Sequence, residues 1–99
     1  MPIYYYKRGV RLIGSKDEAL KLALKELIVE ECDKEIEPEQ ITDDEVLFGS
    51  DSQLELDSMD ALQISMALHK KYGINTNDSK VLRKIMTSIN TLADYIQPQ

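Results

Sequence analysis

Tryptophan is absent from the 99 residues, cysteine and histidine occur once each, and glycine (4) and proline (3) are scarce. One thiol, Cys32, excludes an internal disulfide and suits a reducing compartment. Its place within a helical apolar pattern marks a small core or boundary residue, not a nucleophile. One histidine, His69, cannot build a histidine-rich metal centre. With few glycines and prolines, and with Leu, Ile, Ala, Lys and Glu abundant, helices are favoured over a sandwich or barrel. No apolar run reaches membrane-spanning length, and the opening stretch lacks a signal peptide's apolar centre and cleavage site. A cytoplasmic protein without membrane insertion is expected. Positive charge is also in deficit, 12 Lys and Arg against 18 Asp and Glu, a net charge of −6. That balance argues against a nucleic-acid module, which must neutralise phosphates.

What is present suits one small domain. Apolar residues make up 42% of the chain, enough for a modest core but not for a deep cleft between two lobes, so an elaborate enzyme is not expected. Charge is unevenly spread. Residues 1–16 carry four bases and no acid, residues 17–60 carry 3 bases and 16 acids, and residues 61–99 carry 5 bases and 2 acids. The acidic first half would draw basic patches on visiting enzymes by raising encounter rates, or would serve as a solvated face.

Residues 1–14, with Tyr4, Tyr5 and Tyr6 among bases, read as an N-terminal extension, flexible or loosely packed, or else as a short strand-like piece near residues 10–13. Residues 15–97 read as the helical domain. Ser15 and Glu18 have capping-box spacing, so the first helix is predicted to start there. Leu20, Ala23, Leu24, Leu27, Ile28 and Cys32 recur at three- and four-residue steps, and the helix is predicted to end near Lys34, ahead of Pro38. A long loop over residues 36–56 follows, rich in acids but anchored by Ile41, Val46, Leu47, Phe48, Leu54 and Leu56, with a helical turn predicted near residues 43–47. Asp57 is a good N-cap, and Asp60 falls at N3, where the helix dipole favours negative charge. The second helix is predicted to reach Tyr72, closed by Gly73. A turn over residues 75–79, a short helix over 80–86 and a last helix capped by Ser88 or Thr87 and reaching Ile96 complete the chain. The predicted fold is all-α, a small four-helix bundle of three longer helices and one short helix, with a long loop between helices 1 and 2.

Ser58 concentrates the functional interest, since Asp57-Ser58-Met59-Asp60 puts one hydroxyl between two carboxylates at a helix start. Free first-turn amides and the positive end of the dipole suit phosphate there. An ordinary acidic helix start would use the same residues. His69, the only histidine, lies about three turns further along the same helix, so no base activates Ser58 from within. No glycine-serine-glycine elbow is present either. An EF-hand reading of residues 51–62 fails, because Leu56 stands where glycine is needed and Leu62 where a bidentate glutamate should be.

The motif Leu56-Asp57-Ser58-Met59-Asp60 resembles the attachment site of acyl carrier proteins. The likeness extends over about residues 18–97, through Leu47-Phe48, Ala67-Leu68, Lys71-Tyr72-Gly73-Ile74 and the closing run from Ser88 to Ile96. It implies a non-catalytic carrier holding acyl groups as thioesters on 4′-phosphopantetheine, transferred from coenzyme A to Ser58 with magnesium by a phosphopantetheinyl transferase that reads Asp57 and Asp60. Further implied partners are acyl-processing enzymes of fatty-acid or polyketide type, such as ketosynthase, ketoreductase and acyltransferase, meeting a monomer. Met59, Ile64, Leu68 and Tyr72 fit inward positions on the second helix. Leu62, Met66 and Ala67 form another apolar strip, which either widens the core or, as the resemblance implies, faces partners. Met59, Leu62, Ile64, Met66 and Leu68 would line an acyl pocket on the same grounds. The chain departs from fatty-acid carriers in placing Gln63, His69, Lys70 and Lys71 where glutamates are usual, and with Leu82-Arg83 it is similar to carriers of specialised clusters such as those making aryl polyenes. An aminoacyl or peptidyl carrier, or an unmodified helical interaction domain, would share the fold.

Overall fold

The computed structural model describes residues 12–75 and 78–98, and over these the chain forms four helices: α1 Glu18–Glu31, α2 Ser58–Tyr72, α3 Ser79–Ile85 and α4 Ile89–Ile96. The all-α expectation is met. Two helices are long and two short, and no strand occurs among the described residues. The predicted extension falls mostly on residues 1–11, outside the described residues. Its last member does not: the Gly14 amide donates to the Gln97 carbonyl at 2.8 Å, and a side chain at Gly14 would overlap the Ala93 carbonyl. Only glycine lets the backbone lie this close to α4.

The predicted start of α1 is corrected by one turn's chemistry. Gly14–Lys16 forms a 3₁₀ turn, and the Ser15 amide donates to Asp94 Oδ1 at 2.7 Å. Asp17 is the cap, its carboxylate accepting from the Leu20 amide at 3.1 Å. The helix also ends before Lys34. Asp33 takes φ 51°, and the Lys34 amide donates to the Val29 carbonyl at 3.0 Å. This is a Schellman closure with aspartate at the left-handed position usually given to glycine. At α2 the closure is the predicted one, with Gly73 at φ 69° and its amide on the His69 carbonyl at 3.0 Å.

The core joins Leu24, Leu27 and Ile28 of α1 to Ile64, Ala67 and Leu68 of α2, Leu82 and Met86, and Ile89, Leu92 and Ala93 of α4. The loop between α1 and α2 supplies Ile41, Leu47, Leu54 and Leu56, all buried. Burying each such side chain stabilises the segment by about 1.5–3 kcal/mol relative to exposure. Four anchors therefore hold a segment that propensity alone would leave loose. Its helical turn lies at Pro38–Gln40, not near residues 43–47 as predicted, because proline presets the first-turn geometry there. Residues 43–47 are instead tied outward: the Asn90 amide reaches the Asp43 carbonyl at 2.9 Å, and the Leu47 amide reaches the Thr87 carbonyl at 3.3 Å.

Candidate functional site

Ser58 is the first residue of α2, and its side chain is exposed. The approach to it is built by the loop. Phe48 and Leu56 pair as a single parallel bridge, with the Gly49 amide on the Leu56 carbonyl at 3.2 Å and the Leu56 amide on the Leu47 carbonyl at 3.2 Å. Ser52 is buried and fastens the tip: its Oγ donates to the Leu47 carbonyl at 2.8 Å and accepts from the Leu54 and Glu55 amides at 3.0 and 3.1 Å. Sequence reading missed this serine, although Asp51-Ser52 followed by an anchor is the pattern of a serine turn. Glu55 then takes φ 49°, which turns the chain into Leu56 and the helix start.

The two flanking aspartates satisfy each other's backbone. Asp57 Oδ1 accepts from the Asp60 amide at 3.0 Å, and Asp60 Oδ2 accepts from the Asp57 amide at 3.1 Å. This capping box fixes the direction in which α2 leaves the loop. The Asp60 amide holds the Asp57 carboxyl below the usual carboxylate range, so Asp57 is ionised at neutral pH. Lys34 Nζ, three residues past the end of α1, lies 3.9 Å from Asp60 Oδ2, a long contact. Cys32, half-buried beside it, is pushed up to about 12 by burial first and then by the negative field of Asp60. The thiol is thus protonated and weakly nucleophilic.

An open groove of about 740 Å³ runs from Ser58 between α2 and α3. Of the residues singled out on α2, it brings together Ser58, Leu62, Gln63, Met66, Ala67, His69, Lys70 and Lys71. It does not take in Asp57, Met59, Asp60, Ile64 or Leu68. Ile64 and Leu68 are inward as predicted, each 0% exposed, but Met59 is not: it is 69% exposed. Ala61 holds the inward place, since it stands three positions before Ile64 and seven before Leu68, the spacing that shares their face. Leu62 and Met66 stand outside the core at 57% and 63% exposure, whereas Ala67 is buried and belongs to it. Gln63, His69 and Lys70 are exposed, with His69 Nδ1 3.3 Å from the Ile74 carbonyl oxygen.

Two further features were not foreseen. Arg83 of α3 stacks its guanidinium over Phe48, 5.1 Å from the ring centre. Elsewhere, buried Lys21 and, one turn further along α1, Lys25 clasp Asp43 at 2.8 and 2.7 Å. Among the described residues, no helix is long and apolar enough to cross a membrane, and no group of His, Cys, Asp and Glu is disposed to hold a metal ion.

Comparison with known families identifies the domain. The sequence model of the family described as "phosphopantetheine attachment site" matches residues 23–96. That span runs from the middle of α1 to the last residue of α4 and contains Ser58. No curated protein and no solved structure matches the chain significantly.

Proposed function

The chain belongs to the phosphopantetheine attachment-site family, and from that premise we propose that it is an acyl carrier protein whose Ser58 bears the prosthetic group. The group itself, 4′-phosphopantetheine, is the family's. What supports Ser58 as its anchor is one observation: an exposed hydroxyl at the first position of α2, opening onto the groove along the helix. The fit is good, because the hydroxyl is free to be approached from solvent and the first-turn amides and dipole favour a phosphate beside it.

The chain's own residues hold and present the hydroxyl. Asp57 and Asp60 set its position through the capping box and offer carboxylates to a transferase and its magnesium ion. Loading joins Ser58 Oγ to the phosphorus of coenzyme A that carries the pantetheine, breaks that phosphorus's bond to the nucleotide part, and passes the hydroxyl proton to a base of the transferase. Once loaded, the arm supplies a thiol for thioesters. The exposed Met59, Leu62 and Met66 then form an apolar strip for acyl-processing enzymes, of ketosynthase, ketoreductase or acyltransferase type, with Gln63 and Lys70 at its margin. The protein acts as a cytoplasmic monomer and catalyses nothing itself.

The test is direct. Wild type and Ser58→Ala are incubated with coenzyme A, magnesium and a broad-specificity transferase, and intact masses are compared. The wild type is expected to gain one phosphopantetheine and the variant none. A wild type that gains nothing, or a variant that gains the group, overturns the assignment.

A further inference from the structure

A phosphodiester on Ser58 would bring a third negative charge to a helix start that already holds Asp57 and Asp60. Lys34 reaches only towards Asp60, at 3.9 Å. Three cations line the groove that Ser58 opens onto: Lys70, Lys71 and Arg83. Lys70 and Lys71 sit more than three turns along α2 from Ser58, about 18 Å at a rise of 1.5 Å per residue. That separation exceeds the screening length of roughly 8 Å in physiological salt. Arg83 is placed differently. Its guanidinium is stacked on Phe48, and Phe48 is bridged to Leu56, two residues before Ser58. The loop segment that leads into the serine is therefore bridged to the residue on which the arginine rests.

Among the described residues Arg83 takes part in no ion pair and its guanidinium in no hydrogen bond. Stacking uses the face of the guanidinium and leaves its N–H edge available. A planar fork of donors matches two oxygens of a phosphate, which a lysine ammonium cannot do. We propose that Arg83 is a phosphate-binding residue that donates to the phosphodiester oxygens on Ser58, rests on Phe48 for its orientation, and offsets the charge that Asp57 and Asp60 place beside the new group. This rests on the reading of Ser58 as the attachment point.

The experiment separates the two claims. Protein labelled with ¹⁵N is converted with coenzyme A, magnesium and transferase, and its intact mass reports whether the group is attached. Arginine Nε–Hε signals are then compared before and after loading. The chain has only three arginines, and loss of one signal in Arg83→Gln assigns it. The expected result is a shift of the Arg83 signal on loading. In addition, the ³¹P resonance of loaded Arg83→Gln should move from the wild-type position, that of Arg83→Lys should lie between them, and Lys84→Gln on the same helix should match wild type. Melting curves of the variants keep a folding defect apart from a local effect. A fully loaded protein whose Arg83 signal and ³¹P resonance are both unmoved by loading or by Arg83→Gln overturns the role of Arg83 and leaves the attachment site standing. A chain that gains no mass overturns both.

Discussion

The buried ammonium of Lys21 lies 2.8 Å from Asp43 Oδ2, and this contact ties α1 to the loop that carries the chain towards Ser58. Lys25 reaches the other oxygen of the same carboxylate at 2.7 Å, and Glu18 stands 3.0 Å from Lys21. Lysine rarely sits inside unless paired, so Asp43 is what makes its burial tolerable.

Asp43→Ala is accordingly expected to destabilise the fold by about 2 kcal/mol. This falls below the roughly 3–5 kcal/mol of a fully buried broken pair, because Asp43 is partly exposed and Glu18 remains. The effect should depend on pH with a definite sign. The hydrogen bond from Lys21 holds the Asp43 carboxyl below its ordinary value, and the bond to Asp43 raises Lys21 above its own. Asp43's contribution is thus present above about pH 4, its unfolded value, and is lost as pH falls through the lower folded value. Lys21's contribution is present below about pH 10 and is lost above it as pH rises through the higher folded value. Urea midpoints of wild type and variant, taken from pH 7 down to pH 2, are expected to converge on the acid side.

Gly14→Ala should be costly for a reason of contact, not of backbone angle. The added carbon would overlap the Ala93 carbonyl, and backbone on both sides leaves little room to give. A loss of about 2 kcal/mol is expected, in the range of overpacked cores. Faster hydrogen exchange at the Gly14 amide, now bonded to the Gln97 carbonyl at 2.8 Å, would show that the turn has left α4. An unchanged melting temperature with unchanged exchange would contradict the seating of this glycine.

Much of this architecture was legible in the chain because it is written locally. Gly73, Ser88 and Asp57 announce helix ends by chemistry that acts within one turn, and all three do what their type suggests. Asp17 took the capping role from Ser15 for a nonlocal reason: Asp94, 79 residues away, binds the Ser15 amide. Met59 was misplaced because helical spacing gives a face but not its phase, and Ala61, a small residue with a weak apolar signal, sets the phase. Ser58 could be singled out by sequence, whereas Arg83 on Phe48 could not, since nothing local says which loop a helix will meet.

The outer strip of α2 and its inner face should respond oppositely to truncation. Ile64→Ala removes a fully buried side chain and is expected to cost about 2–5 kcal/mol. Leu62→Ala and Met66→Ala alter exposed side chains and should change stability by less than about 0.5 kcal/mol. Their expected effect lies in docking: with loaded protein as substrate, an acyl-processing partner should show KM raised about tenfold, equivalent to 1.4 kcal/mol, with kcat little changed. Equal KM values for wild type and both variants would mean that partners grip another surface.

Cys32 should be nearly inert while the fold is intact, and this provides a clean handle on the arm. Burial and the neighbouring Asp60 charge push the thiol up to about 12, against about 8.5 for a free cysteine. At pH 8 the thiolate fraction, and with it the alkylation rate, is then lower by a factor on the order of 10³. Iodoacetamide at pH 8 is expected to leave the folded, unloaded chain unmodified over a period in which the urea-unfolded chain is fully alkylated at Cys32. In the loaded protein the same treatment should add one label, carried on the arm and absent from the peptide containing Cys32. Asp60→Asn removes the second cause but not the first, so alkylation of Cys32 should speed up only modestly. A large acceleration would show that charge, and not burial, holds the thiol protonated.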